Sequence, residues 1–199
     1  MKYLKNLLTA GMLLTNITIF ADNPEPYLSV RNLLPTPYYV EDGYALLNLI
    51  TTQDAATVVD VGSADGGFAR YIAQQASSLP SLNKIYSISD WSADQSNKHP
   101  FQNFLSNVVQ ENTSSLIVPI RMSPLEAASA LNIKADFIYV NSSQDVYKDI
   151  LAWYPHLNNA GTIAGNNWND SSVEMGVTKA AQDLDLNLQL TNNVWYFTK

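Results

Sequence analysis

Cysteine is absent from the 199 residues, which excludes disulfides, thiolate nucleophiles, zinc knuckles and a lipid-modified cysteine at a cleavage site. Positive charge is scarce. Lys and Arg number 11 against 18 Asp and Glu, a formal net charge of −7, and no basic run occurs anywhere. A phosphate-backbone surface needs clustered Lys and Arg to displace counterions, so nucleic acid is excluded as a partner. Histidine occurs twice. His99 stands before Pro100 at a helix start and His156 follows Pro155 in a connection, and both read as bland surface residues. No apolar run reaches the ~18 to 20 residues that a bilayer span requires. What is present is 46% apolar and 15% charged residues, which suits one domain that buries a sheet on both faces and is held by packing alone.

Residues 1–21 follow the order of a secretory signal: Lys2 and Lys5, then the mostly apolar "LLTAGMLLTNITIF", then Ala21 ahead of "DNPEP". The expected location is secreted or periplasmic, with no stable membrane anchor once the segment is removed. Its removal takes two of the 11 basic residues and none of the 18 acidic ones. Thr15, Asn16 and Thr18 weaken the apolar core and keep open a cytoplasmic protein with an amphipathic N-terminus. Residues 22–37 read as an extended lead-in, because Pro35 and Pro37 disfavour helix in the residues before them. Residues 38–199 read as the domain.

Within that domain strand and helix patterns alternate. "YYVEDGYALLNLITT" is a leading helix and "ATVVDVG" a short buried strand; "GFARYIAQQASS" has helical spacing and "NKIYSIS" is a second strand. "HPFQNFLSNVVQ" carries Pro100 in a favourable first-turn position, and "SLIVPIRM" is a third strand. "PLEAASALN", "ADFIYVN", "DVYKDILAWY" and "GTIAG" continue as helix, strand, helix and strand. A last helix around "VEMGVTKAAQDL" precedes a hairpin of "LNLQL" and "VWYFTK" with its turn at Asn192 and Asn193. Repeated strand–helix units with short connections imply a largely parallel sheet covered on both faces, and ligands of such sheets bind beyond the C-terminal strand ends.

The first strand end is "VVDVGSADGGFARYIA". Asp60, Gly62, Gly66 and Gly67 lie between a strand and a helix, where the backbone can pass close to a ligand. The spacing matches neither the dinucleotide fingerprint nor a P-loop, and Ser63 directly follows Gly62, which rules out a nucleophile elbow. A glycine turn of this sort can also serve strand–helix packing alone.

"VVDVGSADGGFA" resembles the cofactor motif of class I S-adenosylmethionine-dependent methyltransferases. The resemblance continues through "IRMSPLEAASAL", "ADFIYVNSSQDVYKDILAWYPHLNNAGTIAGNNW" and "NVWYFTK" to a small branch related to the cation-dependent O-methyltransferases. It implies a Rossmann-like three-layer α/β sandwich with a mostly parallel seven-stranded sheet ending in an antiparallel hairpin. It further implies that Asp60, Gly62, Ser63 and Gly66 line the methionine end of S-adenosyl-L-methionine. The ribose acid of the family falls at Ser89, with Asp90 one residue later, able to serve only if the strand has ended. Met122 and Ser123 would lie against the adenine, although Met122 suits an ordinary core equally.

The chain departs from its relatives at the fourth and fifth strand ends, where "YVDxxH" and "GDDW" become "YVNSSQ" and "GNNW". Asn141, Gln144, Asn166 and Asn167 thus replace ionisable groups by amides. Hard cations draw much of their affinity from carboxylates, so a divalent metal is not expected. Nor can an amide take a proton from a substrate hydroxyl. Asp145 reads as the N-terminal acid of a helix and Asp170 as a solvated loop residue. Methyl transfer can proceed by alignment of the cofactor with an already nucleophilic small-molecule acceptor, which Asn141, Asn166 and Asn167 would position, between walls supplied by Trp91 and Trp168. Two functions follow: a metal-independent methyltransferase with either an unknown small-molecule acceptor or a protein partner, and an inactive exported binding module on the same scaffold.

Overall fold

The computed structural model describes Pro26, Tyr27, Val40 and residues 42–92, 99–141 and 145–199. The signal segment and Gln144 lie outside the described residues. Among the described residues seven strands form one sheet: β1 Thr57–Val61, β2 Lys84–Ser89, β3 Ile117–Arg121, β4 Ala135–Val140, β5 Leu157–Gly165, β6 Gln189–Thr191 and β7 Val194–Thr198. Their order is β3-β2-β1-β4-β5-β7-β6. β1 to β5 are parallel, and β7 runs antiparallel to both β5 and β6.

Among the described residues six α-helices cover the sheet: α1 Gly43–Thr52, α2 Gly67–Gln74, α3 Pro100–Gln110, α4 Pro124–Ala130, α5 Val146–Trp153 and α6 Ser171–Asp183. Side chains alternate across each strand, and this divides the core in two. Val58, Ile85, Phe137 and Tyr139 face Leu46, Ile50, Phe68, Ile72, Phe104 and Val108 of α1, α2 and α3. Val59, Val61, Ile88, Ile138 and Ile163 face Ala127, Ile150, Trp153, Val177 and Ala180 of α4, α5 and α6. The continuous apolar runs of β1 and β4 are thereby explained, because both faces of a central strand are covered. Each large side chain buried this way contributes roughly 1.5–3 kcal/mol. The expected three-layer sandwich and its terminal hairpin are present.

The element bounds differ from the sequence reading in particular places. α1 starts at Gly43, since Asp42 adopts a left-handed φ of 56° that interrupts the helix. β5 begins at Leu157, earlier than "GTIAG". Asp170 is the N-cap of α6, accepting from the Ser172 amide at 2.8 Å, and so has a definite structural task. Tyr27 is 1% exposed in the α1–α3 core, and its hydroxyl donates to the Ile117 carbonyl at 2.9 Å. Among the described residues no helix is long and apolar enough to cross a membrane.

Candidate functional site

The strand order reverses between β1 and β4, since the chain builds outward through β2 and β3 and then returns to the other side of β1. Such a switch point leaves a crevice beyond the C-terminal strand ends. A cleft of about 480 Å³ opens there, within the size range of small-molecule sites. Gly62 and Ala64 line it from the turn after β1, Ser89 and Asp90 from the end of β2, and Asn141 from the end of β4. Ser123, Pro124 and Leu125 line it from the start of α4, and Asp145, Lys148 and Asp149 from the start of α5.

The glycine turn has a physical reason at both ends. Gly62 and Gly66 have φ of 82° and 84°, a region costly for residues that carry a Cβ. A Cβ at Gly66 would also stand 2.7 Å from the Phe104 ring. The amides of Gly62 and Ser63 both donate to the Ile88 carbonyl at 3.0 Å, tying the turn to the end of β2.

Asp60 and Ser63 sit beneath this turn, not on the cleft wall: Asp60 is fully buried and Ser63 2% exposed. The Ser63 hydroxyl donates to Asp60 Oδ2 at 2.7 Å. Asp60 Oδ1 has no hydrogen-bond partner among the described residues, and neither does the buried hydroxyl of Ser87, its register partner on β2. Burial pushes the Asp60 carboxyl up to about 7, against the lowering effect of the Ser63 hydroxyl and the Ala69 amide.

β2 ends at Ser89, so Asp90 lies past the strand and both side chains can face the same cleft. Ser92 donates to Asp90 Oδ1 from its amide at 3.1 Å and its hydroxyl at 3.2 Å. Ser123 closes a capping box with Glu126, its hydroxyl 2.7 Å from Glu126 Oε2, and this fixes the start of α4 at the cleft rim. Met122 packs on the α4–α6 core and does not line the cleft.

Among the described residues, Asn141 is the one expected acceptor-side residue at the cleft. Asn166 and Asn167 follow β5 in a separate turn, with Asn167 at a φ of 60° and its carbonyl accepting from the Asp170 amide at 2.9 Å. The amides of Trp168 and Asn169 donate to Asn193, which anchors this turn to the β6–β7 hairpin. Trp168 packs on the core, and Trp91 is 3% exposed, so neither forms a wall of the cleft. The Trp91 ring lies against Phe101 and Phe104, at centroid distances of 5.0 and 4.7 Å.

Ala64, Leu125, Lys148 and Asp149 belong to the cleft without having been singled out by sequence. Their signal was positional: each lies in the turn or first helical turn after a strand, where ligand groups of this architecture converge. Asp145 is the N-cap of α5 and pairs with Lys148 at 2.7 Å. Hydrogen bonds from the Lys148 ammonium and amide hold its carboxyl below the usual carboxylate range, so it is a poor proton acceptor. His156 lies away from the cleft and is more constrained than a surface histidine. Its Nδ1 and Nε2 face the carbonyls of Ile133 and Ala128, each at 2.9 Å.

No known family model and no curated protein sequence matches the chain. Solved structures do. An O-methyltransferase, TomG from Streptomyces achromogenes, in complex with S-adenosylmethionine, superposes at a TM-score of 0.63 with 12% identity, covering 82% of each chain. The O-methyltransferase from Bacillus cereus in complex with S-adenosylhomocysteine gives 0.60 and 14%, covering 82% of this chain and 84% of its own. A precorrin-6y C5,15-methyltransferase from Geobacter metallireducens gives 0.62 and 13%, covering 85% and 92%. The fold is that of the class I methyltransferases. At such identities the likeness establishes the methyltransferase fold and its strand order, and chemistry must be argued from the site.

Proposed function

We propose that the chain is a methyltransferase that uses S-adenosyl-L-methionine, acts on a small-molecule acceptor and works without a divalent metal. The observation that carries the proposal is the convergence of the Gly62 turn, Ser89, Asp90, Ser123 and Asn141 on one cleft. The residues fit the cofactor. The Gly62 turn supplies close backbone approach, the Asp90 carboxylate can accept from a pair of ribose hydroxyls, and Pro124 and Leu125 offer apolar surface to a base.

When bound, the cofactor supplies an electrophilic methyl on a cationic sulfonium. The cleft is acidic, with Asp90, Asp145 and Asp149 against Lys148, and this field favours a positive ligand. Asn141 hydrogen-bonds the acceptor and orients it, while holding no proton for it. Carboxylates are the main source of affinity for hard cations, and amides stand at the ends of β4 and β5, Asn141 on the cleft and Asn166 and Asn167 in the separate turn after β5. These substitutions support metal independence.

Titration calorimetry of the full chain with S-adenosylhomocysteine tests the reading. Saturable binding supports it; no heat at millimolar ligand would sink it in favour of an inactive binding module on the same fold, the reading to which the loss of ionisable groups at the β4 and β5 ends also points.

A further inference from the structure

Two residues near the cleft hold a backbone conformation that side-chain-bearing residues avoid. Ala64 and Trp91 both have a φ of 46°. They are joined: the Trp91 indole Nε1–H donates to the Ala64 carbonyl at 2.5 Å. The next carbonyl, that of Asp65, accepts from Arg70 Nη1 and from Asn107 Nδ2, both at 3.5 Å. Arg70 is fully buried and is itself fixed by Glu111, with Nε donating to Oε2 at 2.9 Å and Nη2 paired to Oε1. Phe104 closes the remaining space behind Gly66.

We infer that Trp91, Arg70 and Asn107 are positioning residues for the cofactor turn, acting from behind it as a clamp on two consecutive carbonyls. A trans peptide is planar, so a carbonyl held in one direction fixes the following N–H in the opposite direction. The Ala64 carbonyl thereby sets the Asp65 amide, and the Asp65 carbonyl sets the Gly66 amide, which donates to Ser63 at 2.7 Å. The left-handed Trp91 is what brings its indole back over the turn from the end of β2. The clamp also explains why an aromatic residue beside the cleft is buried. This inference rests on the proposed cofactor reading for its purpose, and on the hydrogen bonds alone for its existence.

The test compares Trp91→Phe with Tyr27→Phe in the full chain. Trp91→Phe keeps a ring against Phe101 and Phe104 and deletes the Nε1–H donor. Tyr27→Phe deletes another buried side-chain donor to a carbonyl, that of Ile117, at the opposite end of the sheet from the cleft. Loss of one such bond predicts roughly five-fold faster amide exchange at Gly66, whose amide the clamp sets, and a roughly five-fold higher Kd for S-adenosylhomocysteine, in Trp91→Phe alone.

Unchanged exchange at the Gly66 amide in Trp91→Phe overturns the clamp. Equal effects in both variants overturn it too, since they would report general loosening. Faster exchange with unchanged affinity overturns the positioning role. Wild-type protein that binds no S-adenosylhomocysteine overturns the proposed function instead, and the exchange data then decide whether the clamp exists.

Discussion

Replacing Asp60 by Asn should stabilise the protein at neutral and alkaline pH, by an amount that depends on pH in a specified way. The folded-state carboxyl titrates at about 7, raised from 3.8 by burial. Between these values the folded chain holds a proton that the unfolded chain has lost, so stability falls as pH rises through that window. Below about 3.8 and above about 7 the two states match in protonation and the slope vanishes. The whole shift is about 3 pH units, or about 4 kcal/mol at roughly 1.36 kcal/mol per unit. From about pH 5 to about pH 8 only the last two units are crossed, which predicts about 2.7 kcal/mol. The Asp60→Asn variant has no titrating group at this position, and its amide can donate toward the otherwise unpartnered Ser87 hydroxyl, adding a pH-independent offset. Urea unfolding of both proteins, followed by tryptophan fluorescence without ligand, measures the gap; the difference between variants cancels the titrating groups that do not interact with Asp60. A gap that stays constant across this range would refute the buried, protonated Asp60.

Two further outcomes are expected. Gly165→Ala should destabilise the fold by about 3 kcal/mol, the upper end for overpacking, because its Cβ would stand 2.4 Å from the Trp195 ring and 2.6 Å from the Val140 carbonyl; an unchanged melting temperature would contradict that packing. Restoring acids with Asn141→Asp and Asn166→Asp should create measurable Mg²⁺ or Mn²⁺ affinity by calorimetry if the amides occupy a former metal site, and an all-amide and all-acid pair with equal affinity would count against that history.

The fold was legible because each strand and helix carries its own periodicity. "ATVVDVG" and "ADFIYVN" read as buried strands on local grounds, and the sheet places them side by side in the centre. Partners far apart in sequence were not legible. Nothing near "SADGG" announces that its two central carbonyls are held by Trp91, Arg70 and Asn107, and the preference of Ala and Trp for ordinary backbone regions argues against their left-handed φ. Tertiary packing overrides that local preference. The same applies to "GTIAG": its terminal glycine is required by Trp195, thirty positions downstream, and no turn signal marks it. The roles expected of the turn, Ser89, Asp90, Ser123 and Asn141 came from the family resemblance, and the structure places Gly62, Ser89, Asp90, Ser123 and Asn141 around one cleft. The burial of Asp60 beneath the turn was not legible, because an acid in a strand gives no sign of which layer it faces.

Tyr27 alters what counts as the beginning of the folded unit. A cut drawn at the proline pair, Pro35 and Pro37, would remove a side chain that is 1% exposed and bonded to β3. The void left behind would cost about 3–5 kcal/mol by the usual measure for a large aromatic, a sizeable part of a domain's total stability. A shortened protein designed from sequence pattern would therefore start life with a hole in its floor, at the end of the sheet farthest from the cleft. Any weakness seen in its ligand binding would be a symptom of that missing tyrosine, with the cleft residues themselves intact.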